Sequence, residues 1–204
     1  IKGSSLIIKT PKKELSLKVQ YPLLGDVISD DDGNFYVVWG KENTGSTNTV
    51  KTVFISKYSS DGSHVKTTGF VGKSSLWGNE ANTQLPFHAG NSASVIANGI
   101  LVNYHAKKRY DGHQSDNVIA VRIADMSPYQ LPNDTYTGHS FNQSVIYSEK
   151  ISDFLFASQG DGYSRGFRVN DSSGGYGIDK ETIFHFYLQA NVNYDMSILN
   201  RTYA

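Results

Sequence analysis

Apolar residues alternate with polar ones along most of the chain, the period-two pattern of half-buried strands. Residues 34–39 (Asn-Phe-Tyr-Val-Val-Trp) and 51–58 (Lys-Thr-Val-Phe-Ile-Ser-Lys-Tyr) read as strands. Turn signals bound them, Asp32-Gly33 before the first and Asp61-Gly62 after the second. Residues 99–104 and 117–123 form a similar pair, and residues 154–158 and 166–169 a third. Residues 179–188 have the best helical reading, but their apolar end is rich in aromatics and suits a strand equally well.

These segments recur in a fixed order. The first unit runs Asp26-Val-Ile-Ser, a turn, residues 35–40, a polar loop, then residues 53–58. The second runs Ala93-Ser-Val-Ile, the turn Asn98-Gly99, residues 100–105, a polar loop, then residues 118–123. The third runs Gln143-Ser-Val-Ile-Tyr, a turn, residues 154–160, a short loop, then residues 166–169. Units follow each other every ~55 to ~65 residues, longer than the ~40–50 of ordinary propeller blades. Polar loops at 41–48 and 107–116 account for the excess.

Strand, turn, strand, loop, strand is an up-and-down antiparallel sheet with apolar faces and open edges. Stacking such sheets around an axis buries the faces and shortens the exposed edges. The expected fold is therefore all-β, a β-propeller or part of one, with antiparallel meander blades in about four units. Residues 1–204 form one domain on this reading, either a closed ring or a fragment of a longer propeller. The alternative is a β-sandwich with Greek-key crossings.

Composition narrows the function more by exclusion than by assignment. Lys plus Arg and Asp plus Glu both number 19, so the chain carries no formal net charge and no basic excess for nucleic acid. Cysteine is absent, which removes disulfides, thiolate metal sites and a cysteine nucleophile. No apolar run approaches the ~18 residues of a membrane span. The chain begins at Ile1, which reads as a processed form or an excised piece.

Candidate chemistry gathers in two places. Residues 104–117 put His105, Arg109, Asp111, His113, Gln114 and Asp116 in what reads as one loop. Imidazole, guanidinium and carboxylate together bind anions, sugars or peptides, or move a proton. The competing reading is a polar loop that caps its own turns. In the third unit, His139 precedes one strand and Asp161, Tyr163 and Arg165 sit in a glycine-rich connection. Asp161 and Arg165 either brace that loop as an ion pair or face a pocket beside His139. Tyr104, Tyr110, Tyr129, Tyr136 and Tyr163 lie in or beside loops, placed for sugar stacking or for packing between blades.

Other motifs are missing. The acidic run at residues 30–34 lacks the ligand spacing of a calcium loop, and no two histidines stand four apart on a helix. No Gly-x-Ser-x-Gly elbow or phosphate-gripping glycine loop occurs. Neither metal nor cofactor is expected.

Two stretches carry a resemblance. Asp-Asp-Gly-Asn-Phe-Tyr-Val-Val-Trp-Gly at 31–40 and Ile-Ser-Lys-Tyr-Ser-Ser-Asp-Gly at 55–62 resemble repeats of exported bacterial β-propeller proteins of poorly defined function. Residues 139–143 and 160–166 are similar to segments of the same surface proteins. The resemblance implies an extracellular or cell-surface location, a propeller, and a longer parent chain. It brings no catalytic residues with it. The leading expectation is a binding or adhesion module for a glycan or protein ligand. The competing one is a hydrolase or lyase with His105, His113, His139, Asp161 and Arg165 around a central channel. The third is a structural assembly piece that needs further propeller blades or another chain.

Overall fold

The structure, a computed structural model, describes residues 4–11, 13–45, 49–72, 83–110, 112–131, 140–160, 166–172 and 182–185. All regular elements among these residues are strands. A hairpin of β1 (Ser5–Lys9) and β2 (Glu14–Lys18) comes first. A first blade follows in the simple order β3 (Leu23–Ser29), β4 (Phe35–Gly40), β5 (Val53–Tyr58), β6 (His64–Phe70). The third has the same form: β11 (Ser140–Ser148), β12 (Asp153–Gly160), β13 (Gly166–Asp171), β14 (Thr182–His185). Thr182–His185 thus settles the ambiguous segment as strand where it is described; the rest of 179–188 lies outside the described residues.

The second blade departs from a plain meander. Its centre is β9 (Ile100–Arg109), with β10 (Gln114–Arg122) on one side. Two short strands, β7 (Thr83–Pro86) and β8 (Ser92–Ala97), lie end to end along the other side. Between them the Phe87 N–H donates to the Ala106 carbonyl at 2.7 Å, and the Ala106 N–H donates to the Asn91 carbonyl at 2.9 Å. Residues 88–90 are therefore an excursion from one continuous edge strand. The segment 107–116, expected to be a polar loop, is instead the outer end of the β9–β10 hairpin, and only residues 110–113 connect the two strands. Its polar alternation carries no apolar signal, so nothing in the pattern announces a strand.

The turns use the residues their geometry demands. Asn98 and Gly99 both adopt positive φ, 49° and 73°, between β8 and β9, the conformation that matches strand twist in a two-residue hairpin. Asp30 caps the β3–β4 turn: its carboxylate accepts the Asn34 N–H at 2.8 Å and the Tyr36 hydroxyl at 2.9 Å. Burial would raise the Asp30 pKa, but the bonds from Asn34 and Tyr36 outweigh it and hold the carboxyl below its usual range.

Both faces of the inner sheets are buried, and this distinguishes stacked blades from a sandwich. Every residue of β4 is buried. Tyr36 and Val38, with Val53 and Ile55 of β5, pack on Leu101, Ile119 and Val121 of the second blade. Phe35, Val37 and Trp39, with Phe54 and Tyr58, pack on Leu6 and Leu17 of the hairpin. The second blade repeats the arrangement, setting Val102, Tyr104 and Ala120 against Val145, Phe154 and Phe156 of the third. A sheet in a two-layer sandwich has one inner face and one wet face. Here the first and second blades each supply core on both faces, as in a propeller or part of one. The inner strands β3, β8 and β11 are neighbours from blade to blade and mark the axial side of the stack.

Candidate functional site

The boundary between the first and second blades changes character along its length. At one end it is hydrocarbon. Toward the opposite end, where β3 and β8 begin, the facing positions become Asp26, Ser92, Ser94, Asn103, His105 and Lys107. Period two explains the grouping: Leu101, Asn103, His105 and Lys107 all leave β9 on the side of the first blade. Register then sets Ser94 opposite Asn103 and Ser92 opposite His105.

Asp26 is the carboxylate of this cluster. It leaves the inner strand β3 beside Val38 and is part-buried. Burial pushes its pKa up, against opposing hydrogen bonds from the Ser94 hydroxyl and the backbone N–H groups of Val27 and Ser94. Asn103 is fully buried, and its amide nitrogen donates to Ser92 Oγ at 2.8 Å, Ser94 Oγ at 3.0 Å and the Ala93 carbonyl at 3.1 Å. His105 is also fully buried, with Nδ1 2.9 Å from Asn103 Oδ1 and Nε2 without a hydrogen-bond partner. Burial, reinforced by nearby Lys107, lowers its pKa to about 3, so the ring is neutral near pH 7.

Phe87 closes one side of the cluster. Its ring meets His105 edge-on at 5.6 Å between centroids. Two glycines make room for it: a Cβ at Gly25 would stand 2.6 Å from the ring, and one at Gly40 2.7 Å from it. Phe87 and Ala89 adopt φ of 63° and 54°, left-handed conformations that cost a non-glycine residue about 1–2 kcal/mol each. Strain of this kind persists where packing over-determines the backbone, and here it sits at the axial end.

A second polar seam joins the second and third blades. The Asn91 amide donates to the Gln143 carbonyl at 2.9 Å and accepts the Gln143 N–H at 2.5 Å. One side chain thereby satisfies both backbone groups of Gln143, as a neighbouring strand would.

The expected loop cluster does not form as such. His105 and Arg109 are buried on β9, Asp116 is buried on β10, and His113 lies exposed in the short connection. Asp116 and His105 leave opposite faces of the blade. The Asp116 carboxylate accepts the Tyr104 hydroxyl on the side of the third blade. Asp111, His139, Asp161, Tyr163 and Arg165 lie outside the described residues, as does Tyr136. Tyr104 is a core residue packed edge-on against Phe156; the Tyr110 hydroxyl donates to the Gly45 carbonyl, and Tyr129 lies under the Arg122 guanidinium at 4.9 Å. Asp26, Ser94, Asn103 and Phe87 were not candidates from the sequence. The available signal was a charged residue at an inward position of an otherwise apolar strand. Among the described residues no group of three or more potential ligands stands ready for a metal ion, and no helix is long and apolar enough to cross a membrane.

No protein-family model matches the chain, and no curated protein matches it. Among solved structures it is similar to an exo-1,5-α-L-arabinanase from a bovine ruminal metagenomic library, with TM-score 0.42, 9% identity, and 82% of this chain and 64% of that chain covered. It is also similar to an α-L-arabinofuranosidase from Lactobacillus brevis, with TM-score 0.39, 10% identity, and 80% of this chain and 57% of that one covered. The chain thus spans less than two thirds of the length of either.

Proposed function

We propose that the axial end of the first and second blades binds a carbohydrate, in an exported or cell-surface recognition domain. The observation that carries this reading is Asp26, a part-exposed carboxylate beside the hydroxyls of Ser92 and Ser94 and the Phe87 ring, with Asn103, His105 and Lys107 buried behind them. Vicinal sugar hydroxyls need acceptors and donors at close quarters, with an apolar face beside them. Asp26 supplies the acceptor, Ser92 and Ser94 act as either, and Phe87 supplies the face. The neutral chain exerts no long-range pull on a strongly charged ligand.

The test is a screen of wild-type protein against an array of neutral and acidic oligosaccharides, followed by calorimetry of the best ligand with Asp26→Asn. Loss of one charge-assisted hydrogen bond, about 1.5–3 kcal/mol, weakens binding by roughly tenfold or more. Unchanged affinity in Asp26→Asn, or an array without a single bound sugar, refutes the reading.

The raised Asp26 pKa favours hydrolysis as a second reading, because a carboxyl that keeps its proton nearer neutral pH suits a general acid. Release of reducing sugar from the bound oligosaccharide, abolished by Asp26→Asn, separates catalysis from binding alone.

A further inference from the structure

The hydrogen bonds of the axial cluster run in one direction. Asn103 fixes that direction, because its amide nitrogen points at the Ala93 carbonyl, which only accepts. The other amide atom, turned to His105, must then be the oxygen, 2.9 Å from Nδ1. His105 Nδ1 therefore carries the ring proton and donates. Asn103 passes the polarity on by donating to Ser94 Oγ at 3.0 Å. An ionised carboxylate only accepts, so the Ser94 hydroxyl that bonds Asp26 across the blade boundary donates to it. The chain reads His105 to Asn103 to Ser94 to Asp26, with the two Asn103 amide hydrogens shared among Ser92, Ser94 and the Ala93 carbonyl. Three of its members stand on the second blade and the last on the first.

We propose that His105 is a positioning residue for Asp26, acting through Asn103 and Ser94 across the blade boundary. The imidazole need touch no ligand to do so. Together with the Ala93 carbonyl it holds the Asn103 amide in one of its two orientations, which keeps the Ser94 hydroxyl pointed at the carboxylate. A flipped amide would offer Ser94 an acceptor in place of a donor, and the hydroxyl would turn away from Asp26. Bonds to the charged form of a carboxyl favour that form, so the relay limits how far burial raises the Asp26 titration. Lys107 is the charged group nearest the ring, and its ammonium donates to the Gly72 carbonyl at 3.1 Å. Arg109 follows on the same face of β9. Among the described residues, Ser92, Asn117 and Phe87 also stand around the relay and carry no charge. Neutral His105 with a bare Nε2 is the tautomer the relay requires, and that buried nitrogen has no competing partner to select the other.

Two measurements on the full chain test this, and neither needs a ligand. In the wild-type protein, nitrogen NMR of the ring is expected to show a protonated Nδ1 and an unprotonated Nε2 at neutral pH. A proton on Nε2 instead overturns the proposal without any substitution. The Asp26 side-chain carbon is then titrated in folded His105→Leu and His105→Asn. Leucine removes the donor, and the Asp26 midpoint moves further upward; asparagine keeps an N–H near the Nδ1 position and restores the wild-type midpoint. Identical midpoints in wild type and His105→Leu sink it. If the axial end binds no sugar, the relay still governs how Asp26 titrates, so the function and this inference fail separately.

Discussion

Gly90→Ala probes how closely the second and third blades meet. Gly90 opens onto solvent, and its φ lies outside the left-handed region, so neither burial nor backbone conformation forbids a side chain. In an unconstrained position, alanine would stabilise the protein by about 0.4–1 kcal/mol through the unfolded chain. The obstacle is purely steric. An added Cβ would stand 2.1 Å from the Phe141 carbonyl oxygen and 2.4 Å from the Ala106 Cβ, where real Cβ contacts stay beyond 3.0 Å. Neither neighbour is the far end of a flexible side chain. Phe141 belongs to β11 and Ala106 to β9, so relief requires the blades to separate or residues 88–90 to shift away from both strands. Overpacking of this sort costs roughly 1–3 kcal/mol. At about 2 kcal/mol the melting temperature of a chain this size falls by about 4–8 °C. Gly45→Ala is the control, since its Cβ would meet nothing nearer than Asn43 Oδ1 at 3.6 Å. Thermal melts of the two variants beside wild type decide the matter. If Gly90→Ala melts with or above the control, the blades do not approach as described.

Two more predictions address the stacking and the buried imidazole. Val37→Ala and Val38→Ala remove methyls from opposite faces of β4, both fully buried; each variant is expected to lose about 2–3 kcal/mol in urea unfolding, and a silent variant would mean that one face is not core. For His105, the unfolded ring takes a proton near pH 6.5 and the folded ring only near pH 3, so the unfolded state binds more protons between these values and stability falls as pH drops through that window, by at most about 1.4 kcal/mol per unit. Asp26 acts with the opposite sign, because its raised pKa lets the folded state hold the extra proton. The difference between wild type and His105→Asn isolates the imidazole, and equal acid sensitivity of the two contradicts a neutral buried ring.

The strands of the first blade were legible because nature wrote them twice, once as apolar runs and once as turn residues. Phe35 through Trp39 is apolar at every position, which fits a sheet buried on both sides, and Asp32-Gly33 and Asp61-Gly62 punctuate it. The outer end of β9 was not legible. His105, Lys107 and Arg109 keep the strand's period, yet polar residues on both faces look like a loop. They are buried because a blade boundary ends in polar groups that answer one another, and that pairing spans residues far apart in sequence. Asp26 was hidden for the same reason. Its meaning depends on Ser94 and Asn103, which become its neighbours only when two blades stack. Phe87 was unreadable because its slot is made by Gly25 and Gly40 on another sheet.

The excursion at residues 88–90 leaves and rejoins its strand at a single residue, with both backbone groups of Ala106 holding the two ends. The sheet therefore sets no length for it. Residues added or removed there would reshape the mouth of the axial end while every ladder pairing stayed in register. A change of length at this point leaves the ladders of β7 and β8 on β9 unbroken.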